Sequence, residues 1–235
     1  MELIDAIKQR RSVRCYAERS IDAEKLDALK ALVQKINEKA DLHFQLITEE
    51  PEAFNSRLSH YGNFRNVKNY FALVGKKAKD LNERIGYYGQ QLVLLAEQLG
   101  LNTCWVALTY SKKKAQVEIA PDETCVCLIS LGYGAEKTVR HKSKVFSQVT
   151  NIPKGIDVPE WFLRGVDTAL FAPTAINQQK FKLILGEDGK SVAAKRGIGY
   201  YSKVDLGIVR LNFELGAGKD KFNWTDWKGQ HNFLM

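Results

Sequence analysis

The chain has 235 residues, of which 45% are hydrophobic and 26% are charged. This balance is typical of a globular protein and excludes a mainly disordered, collagen-like or coiled-coil chain. The 35 Lys and Arg residues outnumber the 27 Asp and Glu residues, so the formal charge is +8. The surplus indicates either an anionic partner or a solvated basic surface.

The spacing of the cysteines and the hydropathy of the chain predict the cellular compartment of the protein. The four cysteines form no C-x-x-C pair, and Cys125 and Cys127 share one face of a predicted strand. That usage is typical of a reducing compartment. The N-terminal segment has no apolar run of signal-peptide length, and the most apolar window, Leu92–Leu108, is too short and too polar to span a bilayer. We therefore expect a cytoplasmic protein that does not bind membranes.

Apolar periodicity predicts alternating helices and strands. In chain order, it predicts helices at Leu3–Ile7, Leu26–Ile36 and Leu81–Leu99, and strands at His43–Ile47, Tyr70–Val74, Thr103–Leu108 and Thr124–Leu131. Gly100 is expected to end the third helix. Asp188 and Gly189 suit a hairpin turn.

The second half of the sequence is similar to the first. His43–Ile47 resembles Lys180–Ile184, and the same offset pairs Leu26 with Leu163. Farther along, Leu92–Gly100 resembles the segment 208–216. The common order of these matches predicts an internal duplication, which would give two related halves packed as a pseudo-dimer with a ligand cleft between them.

Several common chemical motifs are missing from the sequence. No phosphate loop, dinucleotide fingerprint, H-E-x-x-H or G-x-S-x-G occurs, and the spacing of the four histidines favours no metal site.

Two short segments do carry chemistry. Arg10–Arg14 places three guanidinium groups and one hydroxyl within five residues, a set that suits a phosphate. The alternative is a solvated basic helix end. Ala172–Gln179 offers Thr, Asn and Gln side chains just before a strand, where amides can recognise the edge of a heteroaromatic ring. Ordinary loop capping is the alternative there.

Together these segments resemble the nitroreductase family of FMN-dependent flavoenzymes. The family opens with a helix and R-R-S-x-R, and its A-P-S-x-x-N-x-Q-P-W element is similar to Ala172–Phe181. Its central helix ends L-G-L-x-T-C-W, which Leu99–Trp105 matches. An I-x-L-G-Y-x strand and a basic segment follow in the family, as at Ile129–Gly134 and Arg140–Lys144 here.

The order of the motifs departs from the usual family pattern. Family members place the A-P-S element soon after R-R-S-x-R, but Lys35–Leu42 lacks it and the second half carries it. The chain therefore resembles an internally duplicated nitroreductase-like subfamily with one FMN per chain. The resemblance implies an α+β fold with a mixed, largely antiparallel sheet surrounded by helices. It divides the chain into residues 1–150, with the arginine cluster, and residues 151–235, with the ring-edge loop, as one flavin-binding unit.

The resemblance also implies the site residues. The phosphate would contact the arginine cluster and the basic segment, backbone N–H groups after Trp105 would face flavin N5, and the Ala172–Gln179 loop would line the ring and bind its edge. The implied cofactor-binding residues are Arg10, Arg11, Ser12, Arg14, Val106, Ala107, Arg140, Lys142, Pro173, Thr174, Ala175, Asn177 and Gln179. No side chain need act as acid or base, and no metal is implied. Tyr61, Phe64 and Tyr70 are candidates to shape a substrate pocket, with plain packing as the alternative.

The implied function is an FMN-dependent oxidoreductase that passes electrons from NAD(P)H to a small acceptor, such as a nitroaromatic or a quinone, by ping-pong hydride transfer through flavin N5. Two alternatives remain: an FMN-binding protein without this activity, and a basic polyanion-binding protein. The arrangement of basic residues favours no nucleic-acid partner. The sequence leaves open the acceptor, the choice of NADH or NADPH, and whether the chain is a pseudo-dimeric monomer or a homodimer.

Overall fold

The computed structural model of the chain describes residues 1–136, 138, 142–153 and 155–226. These residues form two compact units, neither of which is contiguous in sequence. Unit 1 comprises Met1, Gln9–Leu81 and residues 91–138, and unit 2 comprises Glu2–Lys8, Asn82–Gln90 and residues 142–226. No helix in the described part of the chain is long and apolar enough to cross a membrane.

Unit 1 is built on a four-stranded antiparallel sheet in the order β1-β2-β4-β3. Its strands are β1 (Gln45–Ile47), β2 (Asn69–Lys76), β3 (Asn102–Val106) and β4 (Glu123–Gly132). Strand β2 lies between β1 and β4, and Tyr70–Val74 are buried on both of its faces. The continuous apolar run in the sequence is therefore the run of a central strand.

Unit 1 also contains helices α2 (Ala23–Ala40) and α3 (Arg57–Tyr61) and a 3-10 turn at Glu52–Phe54. Helix α2 is amphipathic, and Leu29, Val33 and Ile36 form its buried face at helical spacing. The helix ends at Asp41, which takes the left-handed conformation with φ of 45°.

Unit 2 combines helices with a three-stranded sheet in the order β5-β6-β7. Its elements are α1 (Leu3–Gln9), α5 (Phe146–Val149), α6 (Glu160–Ala169), β5 (Phe181–Leu185), β6 (Ser191–Arg196), α7 (Ser202–Ala217) and β7 (Asn223–Thr225). Strands β5 and β6 form an antiparallel hairpin, and Gly189 takes φ of 62° in its turn, where the sequence predicted a hairpin turn. Strand β7 pairs with β6 in parallel.

Helix α4 (Leu81–Gln98) contributes its first half to unit 2 and its second half to unit 1. The helix ends as predicted, because Gly100 takes φ of 74°. The N–H of Gly100 donates to Glu97 O at 3.0 Å, and the N–H of Leu101 donates to Ala96 O at 2.8 Å. This pair of bonds is a Schellman motif.

The described elements confirm the α+β class. The sequence analysis did not predict β6 or β7. Strand β6 is rich in alanine and lysine, and β7 has only three residues. The compact units do not follow the division at residue 150, but compactness does not test common ancestry. The duplication and its boundary remain predictions.

Candidate functional site

In unit 1, the arginine cluster leaves α1 and runs along the edge of β3. Ser12 forms an isolated parallel bridge with Thr103, and the N–H of Val13 donates to Thr103 O at 3.0 Å. On its other side, Arg14 O accepts the N–H of Arg65 at 3.0 Å. The backbone of the cluster is therefore fixed from both sides, which orients its side chains.

Arg10 is a partly buried cation of this cluster. Its Nε is buried and has no hydrogen-bond partner among the described residues. Burial lowers the pKa of Arg10 to about 10, although the neighbouring Cys104 and Glu97 raise it in part. The guanidinium stays protonated at neutral pH, and its Nε–H group can donate a hydrogen bond to an anion.

Two other buried polar atoms of unit 1 also have no partner among the described residues, Oε2 of Glu97 and Nε1 of Trp105. Burial raises the pKa of Glu97, and the charges of Arg10 and Arg11 oppose that rise. Glu97 forms no ion pair with any described residue, so it leaves Arg10 available. Buried polar atoms in proteins are normally hydrogen-bonded, so each of these three atoms needs an explanation, and a bound ion is one of them.

The remaining residues of the cluster have different surroundings. Arg11 Nη1 donates to Gln9 O at 2.8 Å and to Arg10 O at 2.9 Å, so it caps the end of α1. Arg14 is exposed, with its guanidinium carbon 5.9 Å from the centroid of the Phe64 ring. Burial raises the pKa of the Cys104 thiol, while Arg14, Arg10 and Ser12 lower it in part. The side chains of Arg10, Ser12 and Arg14 thus all lie near Cys104.

The predicted N–H donors lie at the end of the same strand. Val106 is the buried last residue of β3, and Ala107 follows it in a bend. Of the aromatic candidates, Phe64 and Tyr70 belong to the buried core of unit 1, whereas Tyr61 is exposed. Packing is therefore the better interpretation of Phe64 and Tyr70.

In unit 2, the predicted ring-edge loop Ala172–Gln179 follows α6 and contains a 3-10 turn at Ala175–Asn177. Its polar side chains are largely engaged within the unit. Asn177 Nδ2 donates to Lys142 O at 3.0 Å. The buried Gln179 accepts from Lys144 N at 2.7 Å through Oε1 and donates to Ser143 Oγ at 3.2 Å through Nε2.

These bonds give the loop a defined shape, as the capping alternative expects, yet they leave Asn177 exposed. Pro173, Thr174 and Ala175 are partly buried at its start. Lys142 is exposed, and Arg140 lies outside the described residues.

Sequence reasoning missed Asp205, which accepts two hydrogen bonds from this loop. Its position in the first turn of α7 is an ordinary one for an acidic residue, so no local signal marked it.

The comparisons with known proteins identify the chain's relatives. A family model described as "Putative TM nitroreductase" matches residues 2–217. The chain belongs to this nitroreductase family. No curated protein matches it.

Solved structures share the nitroreductase fold. A family structure from Thermotoga maritima MSB8 has a TM-score of 0.67 and 20% identity, and the match covers 97% of this chain and 90% of that one. A nitroreductase from Desulfovibrio desulfuricans, solved in complex with FMN, has a TM-score of 0.51 and 17% identity over 65% of this chain and 98% of that one. A nitroreductase family protein from Streptococcus pneumoniae TIGR4 has a TM-score of 0.51 and 13% identity, and the match covers 65% of this chain and 100% of that one. These likenesses confirm the nitroreductase fold.

Proposed function

We propose that this nitroreductase-family chain binds FMN and passes electrons from NAD(P)H to a small acceptor such as a nitroaromatic or a quinone. The observation that carries the proposal is the charged Arg10 guanidinium, whose buried Nε has no hydrogen-bond partner in the part of the chain that the structure describes. A cation held in this way, beside a hydroxyl and a second arginine, suits the FMN phosphate. The FMN complex of the Desulfovibrio relative supports the choice of ligand.

The residues of unit 1 would bind the phosphate. Arg10 would donate from Nε, and Ser12 and the exposed Arg14 would supply a hydroxyl and a second guanidinium. Arg11 would hold the end of α1, because its Nη1 already donates to two carbonyl oxygens. Lys142 and Arg140 remain proposed contacts on the ground of the family resemblance alone.

The ring contacts are assigned by the same resemblance. Pro173, Thr174 and Ala175 would line the ring, and Asn177 would bind its edge. Gln179 would fix the shape of the loop from inside, since both ends of its amide are engaged. The N–H groups of Val106 and Ala107 would face N5. When bound, FMN supplies the chemistry by accepting a hydride from the donor and passing electrons to the second substrate.

A comparison of two flavins tests the phosphate assignment. We expect Arg10→Ala to weaken FMN binding by about 10- to 100-fold, because it removes a charge-assisted contact that is worth about 1.5–3 kcal/mol. Riboflavin, which lacks the phosphate, should bind the variant as it binds the wild type. Flavin fluorescence quenching measures both affinities.

Arg19→Ala is the matched control, because Arg19 is an exposed arginine of the same unit that pairs with Asp22 at 3.1 Å. It should leave both affinities unchanged. Unaltered FMN binding in Arg10→Ala would refute the phosphate assignment.

Anaerobic titration with NADH and NADPH separates the alternatives. Rapid bleaching of the flavin supports the oxidoreductase, whereas bound flavin that neither donor reduces supports an FMN-binding protein with another task. A polyanion-binding protein would bind no flavin and would show an affinity for polyanions that falls steeply with salt.

The cytoplasm remains the proposed location, and the four cysteines form no disulfide.

A further inference from the structure

Three residues of the ring-edge loop take the left-handed conformation. Ile176, Asn177 and Gln179 take φ values of 47°, 54° and 44°. Asparagine tolerates this region, but a β-branched isoleucine does so only at a cost in free energy. Ile176 is also 89% exposed, so no packing of its side chain offsets that cost. Other contacts must hold the turn.

Asp205 supplies those contacts from the first turn of α7. Its Oδ1 accepts the N–H of Ala175 at 3.0 Å, and its Oδ2 accepts Nε2 of Gln178 at 2.7 Å. The carboxylate thus holds the residue just before Ile176 and a residue two positions after it. Gln178 Nε2 also donates to Tyr200 O at 2.7 Å, which ties the loop to the segment before α7.

The segment before α7 also packs closely against Gln178. A Cβ on Gly199 would overlap Oε1 of Gln178, so a side chain at position 199 would displace the amide group that donates to Asp205. Asp205 itself is 6% exposed and forms no ion pair with any described residue. A buried carboxylate without a cation is costly, and burial raises the pKa of Asp205 to about 6. A hydrophobic residue would pack here at lower cost if holding the loop were not required.

We propose that Asp205 is a positioning residue that holds the strained Ala175–Gln178 turn in the conformation that receives the flavin ring. The inference rests on the proposed function, since it assumes that this loop contacts the flavin. In this role Asp205 would not contact the flavin itself. It acts by keeping the exposed Asn177 and its neighbours in one conformation before the ligand arrives, so that binding does not have to order them.

Flavin affinities of Asp205 variants test this role. Asp205→Ala should raise the dissociation constants of FMN and riboflavin by the same factor, about tenfold if the competent loop population falls to a tenth. Equal losses are expected because the loop would contact the ring, which both ligands share. Asp205→Asn keeps one acceptor oxygen for Ala175 and should restore part of the affinity.

A second substitution separates positioning from general damage to the fold. Glycine adopts the left-handed conformation without strain, so Asp205→Ala should cost less affinity when Ile176→Gly is already present. Asp188→Ala is the matched control. Asp188 likewise accepts backbone N–H groups in unit 2, from Lys190 at 2.9 Å and Ser191 at 2.8 Å, but it does so in the hairpin turn. This control should leave both flavin affinities unchanged.

The outcomes are distinguishable. If Asp205→Ala binds FMN and riboflavin as tightly as the wild type does, the positioning role alone is overturned. The same conclusion follows if the variant loses affinity for FMN only, or if Ile176→Gly does not reduce its loss of affinity. A wild-type protein that binds neither FMN nor riboflavin overturns the proposed function and the role with it. Amide hydrogen exchange of the ligand-free protein adds an independent reading. Asp205→Ala should speed exchange at Ala175, Gln178 and Gln179, and unchanged exchange there also overturns the role.

Discussion

Arg10 and Asp205 both hold charges that are withdrawn from water, and neither forms an ion pair with a described residue. Burial shifts both pKa values toward neutrality, to about 10 for Arg10 and about 6 for Asp205. Arg10 therefore stays charged throughout the physiological range, as an anion-binding group requires. Asp205 titrates at mildly acidic pH, so its cost to the fold depends on pH.

The pKa of Asp205 predicts the sign of that dependence. Its ordinary value is 3.8 and its folded value is about 6, so between these limits the folded state binds more protons than the unfolded state. Stability should therefore fall as pH rises through this window, by a total on the order of 3 kcal/mol. The penalty is absent below about pH 4 and complete above about pH 6.

Denaturant unfolding at several pH values measures this effect. Relative to Asp205→Asn, which cannot titrate, the wild type should lose free energy of unfolding between pH 4 and pH 7. The contacts of Asp205 with Ala175 and Gln178 involve no other titratable group, so the comparison isolates the carboxyl. A stability difference that does not change with pH would show that Asp205 is not desolvated.

At the scale of elements, unit 2 contains a close crossing of the first half of α4 with α7. A Cβ on Gly86 would overlap the carbonyl oxygen of Val204, and a Cβ on Gly207 would overlap that of Glu83. Each glycine thus faces the carbonyl group three residues before the other glycine, a reciprocal arrangement typical of a twofold contact. The crossing does not test the proposed duplication, because it pairs Gly86 with Gly207 in a register different from that of the sequence match between Leu92–Gly100 and residues 208–216.

Substitutions at this crossing should be severely destabilising. Gly86→Ala and Gly207→Ala should each lower the free energy of unfolding by more than about 2 kcal/mol, because the added methyl groups meet backbone that cannot move aside. Lys35→Ala, on the exposed face of α2, should change it by less than about 0.5 kcal/mol. Chemical denaturation measures all three, and alanine variants as stable as the wild type would contradict the close crossing.

The sequence predicted those structural features whose cause lies within a few neighbouring residues. The end of α4 at Gly100 and the hairpin at Gly189 both follow from glycines in left-handed conformations. Strand β7 could not be predicted in this way, because three residues acquire strand character only by pairing with the distant β6. Asp205 was missed for the same reason, since its partners in the loop lie far before it in sequence.

At the scale of the whole molecule, the nitroreductase family and the α+β fold were predictable because their motifs are contiguous segments. The sequence did not predict which segments belong to each compact unit, because each unit contains segments that are far apart in the sequence. Unit 2 includes Glu2–Lys8 and Asn82–Gln90 from the first half of the sequence. Membership in a unit depends on tertiary packing, on which spacing and composition give no information. The arginine cluster lies in unit 1 and the ring-edge loop in unit 2.

The most direct test of the proposed function is the flavin stoichiometry of the purified protein after reconstitution with excess FMN, measured by visible absorbance and by identification of the chromophore released on denaturation. We predict one FMN per chain, because the sequence has one arginine cluster and one ring-edge loop. A protein that retains no flavin would contradict the proposed function, and two FMN per chain would contradict the single site.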